Sequence, residues 1–100
     1  ILFGCVNDQA GQGFWSAAET SGRTKDVLVV SQGADDPALA NLKKPANNWL
    51  GSTAYLPEHY GDYILKMIVG LKNGVKIPQM NYMKTQFIDK SNIAAYNPKY

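Results

Sequence analysis

The run Asp26-Val27-Leu28-Val29-Val30 restricts the fold of this chain more than any other feature. It is β-branched and apolar on both faces, which asks for a strand inside a parallel sheet with layers packed on either side. A second such run, Ile1 to Val6, opens the chain and reads as another buried parallel strand. Between them Ala10, Phe14, Ala17 and Ala18 recur at helical spacing, with Asn7 or Asp8 to cap the start and Gly22 to stop the end. Gly11 and Gly13 lie inside that helix, each costing about 1 kcal/mol relative to Ala, so its backbone is expected to pack closely against a neighbour. Ser31 to Pro37 reads as a loop, with Asp36 as N-cap and Pro37 at the first position of a short helix through Leu39 and Leu42. Trp49 to Tyr55 is a third strand. Pro57 opens the longest helix, whose Tyr60, Ile64, Met67, Ile68 and Leu71 form one apolar stripe closed by Asn73-Gly74. Met83 to Ile88 is a last strand, and one more helical turn is expected after Asp89. The order β-α-β-α-β-α-β gives an α/β fold with a mostly parallel sheet.

Several function classes fall away on composition. Lys and Arg number 10 against 8 Asp and Glu, and the basic residues are scattered singly, without the clustered face or arm of a nucleic-acid binder. No apolar stretch approaches the length of a membrane span. One cysteine, Cys5, and one histidine, His59, leave too few ligands for a cysteine or histidine metal site. Cys5 and His59 are read as a buried structural thiol and a solvent-facing ring rather than a nucleophile and its base. Gly11-Gln12-Gly13 lies inside a helix, not in a strand-to-helix turn, so it is no dinucleotide loop. We find no catalytic constellation, metal site or cofactor motif. The chain begins inside an apolar run, with neither an initiator Met nor a signal-peptide pattern, and is read as a fragment of a longer protein.

Four local patterns in order carry a resemblance. Val6-Asn7-Asp8-Gln9 with Gly13 following is similar to the strand-Asn-Asp step of type 1 periplasmic sugar-binding proteins. Asp26 to Val30 and the Gly-containing loop after it resemble that family's next strand and ligand loop. Ser52-Thr53-Ala54-Tyr55-Leu56-Pro57-Glu58-His59-Tyr60-Gly61 resembles its hinge crossing, and Lys72 to Pro78 with Thr85 and Asp89 to Ile93 its C-terminal stretch. The resemblance implies the last third of a two-lobed α/β receptor, akin to the ribose-binding-like receptors of ABC importers; LacI-type regulator cores share the fold. It further implies that residues 1–55 belong to the second lobe, that 56–86 cross into the first and that 87–100 return. The implied function is capture of a sugar or similar small polar ligand by hinge closure. The implied partners are an ABC transporter permease and the rest of the parent chain, in a periplasmic or extracellular setting with or without a membrane tether. The alternative is the effector-binding core of a LacI-type regulator.

Ligands of open parallel sheets sit beyond the carboxyl ends of the strands. Asn7, Gln32 and Tyr55 follow the three parallel strands and form the candidate ligand-binding set. Asn7 matches the family's sugar-binding Asn, and its amide can both donate and accept; we assign it to binding and Asp8 to capping. Gly33 stands where the family carries an Asp, which argues against a standard ribose-like ligand, and Asp35 would substitute only in a differently bent loop. Tyr55 occupies a hinge position where the family often has Gln, open to ligand contact or to ordinary packing.

Overall fold

A computed structural model describes residues 1–96. The element order is β1 (Leu2–Gly4), α1 (Asp8–Thr20), β2 (Leu28–Gly33), α2 (Asp36–Leu42), β3 (Trp49–Ala54), α3 (Tyr60–Lys72) and β4 (Gln86–Asp89), with 3-10 turns at Thr24–Asp26 and Pro57–His59. The strands lie in the order β1-β2-β3-β4; the first three run parallel and β4 returns antiparallel to β3. This is the mostly parallel α/β sheet that the sequence predicts. In place of the helical turn expected after Asp89 the chain makes hydrogen-bonded turns that do not amount to a helix, with Ile93 N–H bonded to the Asp89 carbonyl at 2.9 Å. Residues 97–100 of the expected returning tail lie outside the described residues.

Helices α1 and α2 pack on β2 and β3 and on each other, so both cover one face of the sheet. Val29 and Trp49 are fully buried beneath them, and Ile88 of β4 is fully buried in the same core. Gly11 of α1 sits directly on the Trp49 indole, where a Cβ would come within 2.8 Å of the ring. Close approach therefore explains Gly11 but not Gly13, whose surroundings are open. Phe14 is half-buried and stacks on Phe3, with ring centroids 3.5 Å apart.

The opposite face of the sheet is bare. Leu2, Leu28 and Phe87 are 65%, 39% and 46% exposed, so the cover on both sides that their sequence calls for is not supplied by these residues. Helix α3 also stands apart, packed mainly against the 3-10 turn before it. Tyr60, Ile64, Ile68 and Leu71 of its stripe are exposed and Met67 is half-buried. The segment 81–83 runs beside it, leaving a groove of about 280 Å³ against Tyr60, Tyr63, Ile64 and Met67. The molecule is accordingly long, 60 × 25 × 18 Å.

Several boundaries differ from the sequence reading. Strand β1 covers only Leu2–Gly4 of the run Ile1 to Val6, and at the edge of the sheet it is exposed rather than buried; β3 stops at Ala54, before Tyr55. Strand β2 runs on through Ser31-Gln32-Gly33, read as loop, because Ser31 turns inward to a polar partner described below. Asp35, not Asp36, takes the N-cap position of α2, which puts Pro37 at the second helical residue. The last strand starts at Gln86 rather than Met83, in register with Ala54 at the end of β3. Pro57 opens a 3-10 turn, and the α-helix begins only at Tyr60.

Candidate functional site

All three parallel strands deliver their carboxyl ends to one edge, and the N-termini of α1 and α2 start there. Register places Gln32 beside Thr53 and Gly33 beside Ala54, so the residue after β3, Tyr55, reaches back toward Gln32. The Tyr55 hydroxyl donates to Gln32 Oε1. Both residues are exposed, Tyr55 at 37%. Gln32 also lines a concavity of about 480 Å³ with Cys5, Ser31 and Thr53, at the carboxyl end of the sheet.

Asn7 caps α1: its Oδ1 accepts from Ala10 N–H at 2.8 Å. Nδ2 has no hydrogen-bond partner among the described residues and is left to donate to something else. The edge thus presents two amide donors without a partner among the described residues, Asn7 Nδ2 and Gln32 Nε2, and a joined hydroxyl–amide pair; these three side chains are neutral, and the one charge in the adjoining turn is Asp35. Gln32 and Tyr55 are in contact; Asn7 is on the same edge without a bond to either.

The capping assigned to Asp8 is overturned. Asn7 takes that position, and Asp8 is wholly buried as the first residue of the helix. Its Oδ1 accepts from the Ser31 hydroxyl and, at 2.7 Å, from the Ser52 hydroxyl. Its Oδ2 accepts from Asp35 N–H at 2.6 Å. Asp35, the one carboxylate in the loop where the family pattern has its Asp, is exposed and accepts from Gln9 Nε2 at 3.2 Å. Only pairing across 23, 27 and 44 residues reveals the Asp8 network, so no local motif could have announced it.

Cys5, beside the edge, is buried; desolvation first, and then the nearby Asp8 carboxylate, push its thiol pKa up. His59 is exposed in the 3-10 turn. Asp89 lies at the other end of the sheet, and hydrogen bonds from the Ser91 hydroxyl and backbone hold its carboxyl below the ordinary range. Among the described residues no three Cys, His, Asp or Glu side chains gather as a metal ion would need, and no helix is long and apolar enough to cross a membrane.

No protein-family model and no curated protein matches the sequence. Solved structures do match. An ABC transporter periplasmic solute-binding protein from Actinobacillus succinogenes, with bound D-allose, superposes with a TM-score of 0.79 at 21% identity over 95% of this chain and 33% of its own. An ABC transporter solute-binding protein from Agrobacterium vitis, with bound allitol, gives 0.80 at 18% identity over 94% of this chain and 32% of its own. The fructose-binding periplasmic domain of a hybrid two-component system gives 0.63 at 21% identity over 90% and 30%. The chain spans about a third of the length of these structures. Likeness at such identities is a likeness of fold: the chain has the fold of one third of a periplasmic solute-binding protein.

Proposed function

We propose that this chain supplies one wall of a cleft that captures a sugar or similar small polar ligand for an ABC importer. The observation that carries the reading is the neutral hydrogen-bonding edge of Asn7, Gln32 and Tyr55, on a fold shared with receptors that hold D-allose and allitol. Amide and hydroxyl groups suit sugar hydroxyls because each side can donate or accept. In this reading residues 1–55 belong to the second lobe, 56–86 cross into the first and the tail returns. The bare α3 supports it, being an apolar helix with no sheet of its own to cover. Closure about the crossing, where Leu56 takes a left-handed backbone at φ 55°, would bring the opposing wall onto the ligand. A periplasmic or extracellular location and an ABC permease as partner follow from the same reading. The work is binding, not catalysis.

One wall alone binds weakly. Three neutral hydrogen bonds contribute about 0.5–1.5 kcal/mol each, against several kcal/mol of lost rigid-body freedom, which leaves roughly millimolar affinity or weaker. Calorimetry of this chain with D-allose or allitol should show no saturable heat at micromolar sugar. Nuclear magnetic resonance at far higher sugar should shift the Asn7 and Gln32 side-chain amides. Asn7→Asp keeps the helix cap but removes the donor, so it should weaken the Gln32 response without loss of stability. A micromolar isotherm would overturn the two-lobe mapping; unmoved amides at high sugar would remove this edge as the site.

A further inference from the structure

The buried carboxylate of Asp8 sits one residue from Asn7 and gathers hydrogen bonds from every segment that builds the edge. Ser31 precedes Gln32 on β2, Ser52 precedes Thr53 on β3, and Asp35 N–H belongs to the turn between β2 and α2. Each serine hydroxyl spends its single proton on Asp8, which leaves its oxygen to accept. Ser31 Oγ accepts from Trp49 Nε1 at 3.2 Å, and Ser52 Oγ accepts from Ala34 N–H at 2.9 Å. One carboxylate therefore fixes the hydroxyl orientation of both strands and two successive amides of one turn.

That turn is not one the chain adopts freely. Gly33 has φ 128° and Ala34 φ 57°, two consecutive residues in backbone conformations that L side chains disfavour. A Cβ on Gly33 would also lie 2.9 Å from Asp8 Oδ2, so the glycine and the carboxylate fit as a pair. Alternation on the strands places Gln32 and Thr53 facing away from the serines. Inward residues are held by Asp8 while their neighbours are displayed at the edge. A buried carboxylate without an opposite charge is an expensive way to fill a core, and here it holds the display in place.

We propose that Asp8 is a positioning residue: it touches no ligand, and it fixes the turn at Gly33–Asp35 and the inward serines so that Asn7 and Gln32 are presented in one arrangement. The part of this that concerns ligand rests on the sugar-cleft reading above; the part that concerns the turn does not. Asp8→Asn is the informative change. Its carbonyl oxygen can still accept from both serines, but its amide group then meets Asp35 N–H donor to donor. Val29→Ala, a buried change on β2 outside the network, serves as the control for plain loss of stability.

The test reads amide hydrogen exchange residue by residue in the full chain. In Asp8→Asn the Asp35 and Ala34 amides should exchange at least about tenfold faster than global unfolding accounts for, as local opening of the turn predicts. In Val29→Ala all amides should accelerate together. Ser52→Ala removes one donor to Asp8 and also the acceptor of Ala34 N–H, but it leaves the Asp35 bond in place. Read at Asp35 alone, exchange should still rise beyond the global effect; this variant carries the test if Asp8→Asn does not fold. Uniform acceleration in both Asp8→Asn and Ser52→Ala, or none, overturns the proposal. Titration with D-allose then separates the two readings. Weakened response of the Gln32 amide in Asp8→Asn but not in Val29→Ala supports positioning of a sugar wall. No response in the unaltered chain, with local opening intact, sinks the sugar reading and leaves the turn assignment standing. Equal response in both variants limits Asp8 to the turn and overturns its role in ligand presentation.

Discussion

Asn7 caps a helix and still keeps a donor for the binding proposed for it, two readings that look exclusive in a sequence. Its Oδ1 closes the N-terminus of α1, while its Nδ2 stays available, so a cap and a free donor coexist in one amide. Asp8, next to it, is expected to cap and does not; its surroundings are Ser31, Ser52 and Asp35, which only the folded chain brings near. Cys5 was legible, because a thiol in an apolar run is buried more often than reactive. Burial, with Asp8 adding to it, raises its pKa, which predicts a slow nucleophile. Iodoacetamide at mildly alkaline pH should modify the folded chain far more slowly than the urea-unfolded chain, and comparable rates would contradict the burial. The sign of the linkage follows from the raised value. The neutral thiol's contribution to stability is complete below the unfolded pKa and lost as pH rises through the folded one. Replacing Cys5 by Ala should remove that alkaline step from the stability profile.

Among the elements, those with a strong local period were read correctly from sequence. The apolar runs became β1 and β2, and the stripe from Tyr60 to Leu71 became α3. The differences arise where a distant partner, or the lack of one, decides the element. Ser31 looked like the start of a loop, yet it is an inward strand residue that donates to Asp8. Met83 looked like strand, but pairing with β3 begins only at Gln86, opposite the last residue of that strand. Helix α1 offers a direct check on how far packing overrides propensity. Gly13 has open space where a Cβ would go, so Gly13→Ala should stabilise the chain by about 1 kcal/mol. A Cβ on Gly11 would lie 2.8 Å from the indole of Trp49, which is fully buried. Gly11→Ala should therefore destabilise, by roughly 1–3 kcal/mol, as overpacking a tight core does. Urea unfolding of the two variants decides it: opposite signs are expected, and a gain from both would mean that α1 does not lie on Trp49.

At the scale of the whole molecule, the dimensions argue that these residues were shaped to be covered. The accessible surface is 7068 Å², whereas a compact monomer of this mass would expose about 5,600 Å². The radius of gyration is 17.4 Å, against about 13 Å for a compact domain of this length. The surplus, on the order of 1,400 Å², exceeds the roughly 800 Å² that each partner buries in a standard interface. Much of it is apolar and falls in two places, the open face of the sheet and the projecting α3, where Ile64, Ile68 and Leu71 are each more than half exposed. In a two-lobed receptor both would be buried by the remainder of the protein. In the chain by itself they meet water, and each large apolar side chain so exposed forgoes about 1.5–3 kcal/mol of burial. Self-association is the available remedy, because the same surfaces on a second copy are equally apolar. Sedimentation velocity should then show mass rising with concentration. The double change Ile64→Lys with Ile68→Lys should shift the distribution toward monomer while leaving the unfolding of the sheet unaltered, since α3 packs mainly against the turn before it. A monodisperse monomer with a sharp, high melting transition would mean that the chain has closed over its own apolar faces. In that case neither the extended shape nor the two-lobe mapping built on it would survive.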